Sequence, residues 1–245
     1  MARTLVEISD TVSVGSKQGK YTGSAIKTST TSKHPPVYVP HGKGVIRFKD
    51  GKMYEGEWDH GIYSGHGKYT TKTAEYTGMW SKGVKAGHGK LTKSDGRVYD
   101  GWFEAGLRSG AGTQKDSKTG SSYSGQWKNN VPFGKGVWRW ANGDWMEGTW
   151  NSSQASGKGT TVRHFGHGSI YQGETRDGKF TGRGKITYKD GGVYRGPCFN
   201  GMRDGAGSYK SRDGVLYEGT WSNDVKKGSF VITHLASGVK KKYKY

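Results

Sequence analysis

Aromatic, glycine and charged residues alternate in a five-residue block that recurs along the chain. Tyr54-x-Gly56-x-Trp58, Tyr76-x-Gly78-x-Trp80, Tyr123-x-Gly125-x-Trp127 and Tyr217-x-Gly219-x-Trp221 share the full form. Tyr99-Gly101-Phe103 exchanges one ring for another, and Met146-Gly148-Trp150 loses the tyrosine. Tyr171-Gly173-Thr175 and Tyr194-Gly196-Cys198 lose the second ring. The blocks start 22 to 25 residues apart. In a strand, alternate side chains share a face, so tyrosine, glycine and tryptophan point one way and the charges between them the other. A glycine between two aromatics leaves room for a neighbouring ring.

Two further marks keep the same phase. Gly-x-Gly occurs at Gly42/Gly44, Gly65/Gly67, Gly87/Gly89, Gly110/Gly112, Gly134/Gly136, Gly157/Gly159, Gly182/Gly184 and Gly205/Gly207. After it, apolar alternation resumes at Ile46 and Phe48, Trp138 and Trp140, and Ile186 and Tyr188. Asp-Gly or Asn-Gly precedes several blocks, as at Asp50-Gly51 and Asn142-Gly143, and supplies the positive φ of hairpin turns. Each repeat therefore predicts a strand, a glycine-rich loop, a strand and a tight turn.

A lone hairpin is not stable in water, but stacked hairpins cover one another's aromatic rows. The expected fold is all-β: an elongated, twisted single-layer antiparallel sheet of tandem β-hairpin repeats, solenoid-like. About sixteen strands at ~4.8 Å spacing would reach roughly 75 Å. A propeller blade needs nearly twice this period. The expected organisation is an irregular N-terminal arm at 1–41, with a degenerate repeat near Tyr21-Thr22-Gly23. About eight repeats follow at 42–233, then a basic tail at 234–245. The Ser/Thr run Thr28 to Ser32 and Pro35, Pro36 and Pro40 suit an arm without helix or central strand.

From Tyr54 to Gly67 the chain reads Tyr-Glu-Gly-Glu-Trp, a polar-Gly turn, then Gly-x-Gly. This resembles the MORN (membrane occupation and recognition nexus) repeat family over about residues 42 to 233. The resemblance implies the open sheet of hairpins. It leaves the role open, since the family includes lipid-kinase accessory modules, membrane-junction proteins and ciliary or cytoskeletal scaffolds.

Composition sharpens the class. Hydrophobic residues make up only 31% of the 245-residue chain, yet there are 43 glycines, nine tryptophans and fifteen tyrosines. Disordered chains are poor in such rings, and 5 prolines are too few for collagen. The net charge of +19 favours acidic partners, whether nucleic acid, anionic lipid or an acidic protein surface such as tubulin. The single cysteine, Cys198, excludes an internal disulfide. No apolar run approaches the ~20 residues of a membrane span, and the N-terminus lacks a signal-peptide core, so a cytoplasmic protein is expected.

Catalytic signatures dissolve into the repeat. Ser156-Gly157-Lys158-Gly159-Thr160 imitates a phosphate loop, but Gly159 stands where Ser or Thr is needed. His66 and His88 are equivalent positions of successive repeats, and His164 with His167 lacks further ligands for a metal. Glu55, Glu57, Glu147, Glu174 and Glu218 recur beside the block glycine, a pattern for cross-strand pairing rather than a catalytic pair. Cys198 replaces a ring and reads as a packed side chain. No enzyme, cofactor or metal site is expected.

The expected function is a structural scaffold for protein–protein contacts in a cytoskeletal assembly, the ciliary or flagellar axoneme. Its partners would be acidic surfaces, tubulin or axonemal subunits among them. The aromatic face (Tyr54, Trp58, Tyr76, Trp80, Tyr99, Phe103, Tyr123, Trp127, Trp150, Tyr171, Tyr194, Tyr217 and Trp221) is the expected partner groove. Lys240, Lys241, Lys242 and Lys244 are the expected contact for an acidic surface. The alternative is a peripheral membrane adaptor binding anionic phospholipid. A basic accessory subunit of a ribonucleoprotein ranks third, because repeat aromatics that cover one another leave few faces for bases. Self-association through open sheet edges remains a further route to assembly.

Overall fold

The computed structural model describes residues 4–28, 36–151 and 157–245, and at 157–160 the backbone only. The described residues form 21 strands and no helix. Two compact units divide the chain: Met1–Lys118 with Lys128–Asn130, and Thr119–Trp127 with Val131–Tyr245.

In the first unit the strands are β1 (Leu5–Val14), β2 (Lys17–Lys27), β3 (Tyr38–Phe48), β4 (Met53–Asp59), β5 (Ile62–Thr70), β6 (Ala74–Ser81), β7 (Val84–Lys93), β8 (Arg97–Glu104) and β9 (Leu107–Asp116). Each pairs antiparallel with the next. The second unit holds β10 (Ser121–Lys128), β11 (Val131–Arg139), β12 (Trp145–Trp150), β13 (Gly157–His164), β14 (Ile170–Arg176), β15 (Lys179–Thr187) and β16 (Val193–Phe199). It continues with β17 (Met202–Arg203), β18 (Gly205–Lys210), β19 (Val215–Ser222), β20 (Val225–His234) and β21 (Lys240–Lys244). From β11 onward the pairing is again antiparallel and sequential, with β17 and β18 both laid against β16.

Register brings the glycines into one row. In the first unit Gly44 faces Gly56, then Gly56 faces Gly67, Gly67 faces Gly78, Gly78 faces Gly89, Gly89 faces Gly101 and Gly101 faces Gly112. The block tyrosine lies across this row. A Cβ at Gly67 would come within 2.4 Å of the Tyr54 hydroxyl and clash with its ring, and Gly89 and Gly112 stand in the same relation to Tyr76 and Tyr99. Each tyrosine hydroxyl then donates to the carbonyl three residues on: Tyr54 to Glu57 at 2.7 Å, Tyr76 to Met79 at 2.9 Å and Tyr99 to Trp102 at 3.0 Å. That carbonyl sits beside a β-bulge, where the register shifts after the block glycine. The tyrosine thus fills the space the glycines leave and satisfies an acceptor the bulge has freed. Tyr21 does the same through Ser24, at 2.6 Å, so the degenerate copy keeps the full geometry.

Three expectations are corrected here. Gly-x-Gly is not a loop: Gly65 and Gly67 lie within β5, and Gly65 (φ +54) forms the bulge. The two-residue turns fall earlier, at pairs such as His60-Gly61 (φ +47 and +79), both positive as a primed turn demands. Asp50-Gly51 instead closes a three-residue turn with Gly51 at φ +82, its N–H bonded to Phe48 O at 3.0 Å. The N-terminal stretch is not irregular, because β1 and β2 form a ten-pair ladder from Leu5–Ile26 to Val14–Lys17. Its Ser/Thr run and Pro35 fall mostly outside the described residues. The C-terminal lysines are not a tail but strand β21, paired with β20.

Candidate interaction surface

The rings expected to line a partner groove form the core. Tyr54, Trp58, Tyr76, Trp80, Tyr99, Phe103, Tyr123, Trp127, Trp150, Tyr171, Tyr194 and Trp221 are buried, and Tyr217 is half-buried. Tyr54 meets Trp58 and Trp80 edge-on, at 5.0 and 5.4 Å between centroids. Trp58 and Trp80 donate their indole N–H to Gly44 O and Gly67 O, at 3.0 and 3.1 Å. Such edge-on pairs are worth about 0.5–1.5 kcal/mol each beyond burial. Rings satisfied in this way on edge and polar atom are not free for a partner.

What covers the tyrosines is a second recurring position, which the sequence reading missed. It is the second residue of each strand that follows a two-residue turn. In the first unit Tyr63 stacks on Tyr54 at 3.9 Å, Lys85 Nζ lies 5.1 Å from the Tyr76 ring centroid, and Arg108 lies 5.6 Å from that of Tyr99. In the second, Phe180 stacks on Tyr171 at 3.7 Å, Arg203 lies 5.8 Å from Tyr194 and 4.1 Å from Trp221, and Lys226 lies 3.7 Å from Tyr217. A cation over a ring face is held by the ring quadrupole. Burial, with Lys93 nearby, holds the Lys85 ammonium below its ordinary value. Burial also lowers Arg108, whose guanidinium binds Gln114, the Asn130 side chain and Asn130 O.

The first residue of the strand after a two-residue turn is apolar and exposed in five hairpins. Ile62 is 47% exposed, Val84 44% and Leu107 38% in the first unit, and Val131 42% and Val225 66% in the second. The signal was present in the sequence, as an apolar residue directly after the turn in His60-Gly61-Ile62, Lys82-Gly83-Val84 and Ala105-Gly106-Leu107.

The remaining expected sites resolve as follows. Lys240, Lys241, Lys242 and Lys244 are exposed, on a strand whose described pairing is to β20 alone. Lysines at such an edge also discourage strand-to-strand aggregation. Glu55 faces Lys68 across the ladder, Lys68 reaches Glu75 at 2.9 Å, and Glu57 accepts the His66 N–H at 3.1 Å, so these carboxylates are cross-strand partners. His88 pairs with Asp100 at 3.1 Å, while His164 stacks on Trp145 at 3.8 Å and His167 on Phe165 at 5.3 Å. Burial pushes the Cys198 thiol up to about 11, far from a nucleophile's range. Of the imitation phosphate loop, Ser156 and the side chains of 157–160 lie outside the described residues. Among the described residues, His41, Asp59 and His60 bring three metal-ligating atoms together.

The MORN repeat family matches residues 39–53, 54–73, 76–96, 123–145, 171–193, 199–215 and 217–229. Mouse Alsin is 29% identical over 116 residues, covering 44% of this chain and 7% of Alsin. Human Alsin is 30% identical over 89 residues, covering 34% of this chain and 5% of Alsin. The chain therefore spans only a small fraction of the length of these relatives. Among solved structures, the TCP10 domain of Danio rerio CPAP is 9% identical, with TM-score 0.47, covering 81% of this chain and 92% of that domain. A CPAP G-box domain is 13% identical, with TM-score 0.35, covering 82% and 98%. The family matches pass over the Tyr99–Phe103, Met146–Trp150 and Tyr194–Cys198 blocks.

Proposed function

The chain belongs to the MORN repeat family, and from that premise we propose that it is a non-enzymatic scaffold for protein partners in a cytoskeletal assembly of the ciliary or flagellar kind. The observation that carries the reading is the exposed apolar row Ile62, Val84 and Leu107, one residue per hairpin. Neighbouring members lie two strands apart, about 9.6 Å. An apolar row repeated at fixed spacing is a linear contact surface, and exposed apolar patches on proteins mark interaction sites. Alongside a net charge of +19, it suits a partner with apolar contacts and acidic flanks, such as tubulin or another acidic axonemal subunit. The ciliary placement rests on the range of roles within the family.

The test is the triple variant Ile62→Asp, Val84→Asp, Leu107→Asp expressed in ciliated cells. The expected result is wild-type protein in the detergent-resistant cytoskeleton and variant protein in the soluble fraction, with circular dichroism unchanged. Wild-type protein that stays diffuse and extractable would sink the reading. The exposed lysines of β21 favour a second reading, peripheral binding to anionic phospholipid. Flotation with phosphoinositide liposomes at two salt concentrations separates the two, since only the lipid reading requires salt-sensitive flotation.

A further inference from the structure

Most side chains of this protein recur with the hairpin, so residues that break the repeat and still converge stand out. His41, Asp59 and His60 do both. His41 precedes Gly42 on β3, and the pairing of Gly42 with Trp58 sets it beside Asp59, the last residue of β4. His60 is the first residue of the two-residue turn that follows. The corresponding triplets elsewhere include Ser64, Ser81 and Lys82; Ala86, Glu104 and Ala105; Ser109, Lys128 and Asn129; Thr181, Phe199 and Asn200; and Asp204, Ser222 and Asn223. None carries a histidine, so the turn itself does not require one.

We infer that His41, Asp59 and His60 form a binding site for a zinc-like divalent transition-metal ion. Each residue offers one donor atom, and the three donors lie within 4.8 Å of one another. One carboxylate oxygen, Asp59 Oδ1, faces both rings: His60 Nδ1 at 2.5 Å and His41 Nδ1 at 3.6 Å. The His60 backbone N–H donates to His41 Nδ1 over a long 3.4 Å, a bond that an ion on that nitrogen would displace. The imidazole rings stand edge to face, 5.0 Å apart.

Two imidazole nitrogens and one carboxylate oxygen are a zinc-type donor set. Calcium and magnesium prefer oxygen throughout. Ligands on a tetrahedral zinc are about 3.4 Å apart, given bonds of about 2.0–2.1 Å. The widest pair must therefore close by up to about 1.4 Å and the Asp59–His60 pair, at 2.5 Å, open by about 0.9 Å, and side chains 35%, 63% and 51% exposed have the freedom to do so. Three protein ligands leave a fourth position to water or to a partner's side chain. The ion ties β3 to the turn between β4 and β5, and by favouring the folded state over the unfolded it stabilises this end of the first unit.

The experiment is Zn²⁺ titration of the full chain by calorimetry after chelator treatment. The expected result is one ion per chain with Kd on the order of 10 μM, weakened at least about tenfold in His41→Ala and in His60→Asn. Asparagine is chosen at position 60 because it tolerates positive φ, as Asn129 and Asn200 show at the equivalent turns. Circular dichroism checks that each variant folds. His88→Ala, which removes the other surface His–Asp pair, should bind as the wild type does. The inference is overturned by absence of saturable uptake at about 100 μM Zn²⁺, or by unchanged affinity in both the His41 and His60 variants. It is overturned equally if His88→Ala abolishes binding.

Discussion

The middle of the first unit and the Met146 hairpin of the second solve one packing problem in opposite ways. From β4 to β9 every block tyrosine crosses to a glycine: Tyr54 to Gly67, Tyr76 to Gly89 and Tyr99 to Gly112. Met146 has no ring or hydroxyl to send across, and there the row position is filled by Thr161, which faces Gly173 and lies 3.0 Å from where a Gly148 Cβ would be. Thr161 is buried and bonds the equally buried Thr175 hydroxyl, at 2.9 Å. The row ends the same way, since Phe230 faces Gly219 where Tyr217 makes no such crossing. Glycine is therefore kept where a tyrosine crosses, and a side chain returns where none does. Beside Met146 the missing tie has a substitute. Asp144 binds the Arg163 guanidinium at 3.0 Å and the Gly166 N–H at 2.7 Å, and Arg163 lies between the Trp140 and Phe165 rings at 5.0 and 4.9 Å.

The sharpest way to break this comparison is to exchange the two solutions. Gly89→Thr alone drives a side chain into the Tyr76 ring and should cost about 4 kcal/mol, the range reserved for severe overpacking. Tyr76→Met alone leaves a void and should cost about 2–3 kcal/mol. Together they rebuild the pair found at Met146 and Thr161, so the double variant should be more stable than Gly89→Thr alone. The expected coupling is about 2 kcal/mol, read from denaturant midpoints. Additive costs would show that glycine is retained for some reason other than the tyrosine.

Next in size is the clamp of the second unit. Burial alone would raise the Asp144 carboxyl, but the Gly166 N–H and Arg163 outweigh it and hold it below its ordinary value. Asp144→Ala strands a half-buried guanidinium and should cost about 3 kcal/mol at neutral pH. A lowered folded-state pKa stabilises above the unfolded value near 3.8 and is lost as pH falls through the folded one. Acid should therefore narrow the gap between wild type and Asp144→Ala, as urea melts at pH 7 and below pH 4 would show. A constant gap would mean that the carboxylate's charge contributes nothing.

Period and strand alternation made the hairpins legible in the sequence, because Tyr-x-Gly-x-Trp puts its signal within five residues. The crossing was not legible: Tyr76 and Gly89 are thirteen positions apart and meet only through register. Matching the letters Gly-x-Gly also misled at Gly157/Gly159, where a register shift brings Thr161 opposite Gly173 instead. β1 carried a readable alternation at Val6, Ile8, Val12 and Val14, but without the aromatic block it passed for an arm. The aromatic groove failed for a physical reason: a single layer of hairpins has no second sheet to bury against, so its large rings must cover one another. His41 on β3 and His60 in the turn after β4 meet only through the pairing of β3 with β4.

The smallest effect separates the tyrosine's hydrogen bond from its ring. Tyr76→Phe keeps the ring over Gly89 and removes the bond to Met79 O, so at pH 7 it should cost about 1 kcal/mol. Its sign should change in alkali. Burial raises Tyr76 to about 12, as it does Tyr99 and Tyr123. Below pH 10 both states keep the proton and the full stability is present. Between about 10 and 12 the unfolded chain loses protons that the folded one holds, so each such tyrosine costs about 1.4 kcal/mol per pH unit. Phenylalanine has no proton to lose, so the stabilities should cross within the first unit or so above pH 10, with Tyr76→Phe the more stable beyond it. Guanidinium melts at pH 7, 10 and 11 would show this. Parallel curves would mean that the hydroxyl ionises as readily in the fold as outside it, and that the crossing is not the sealed contact its geometry describes.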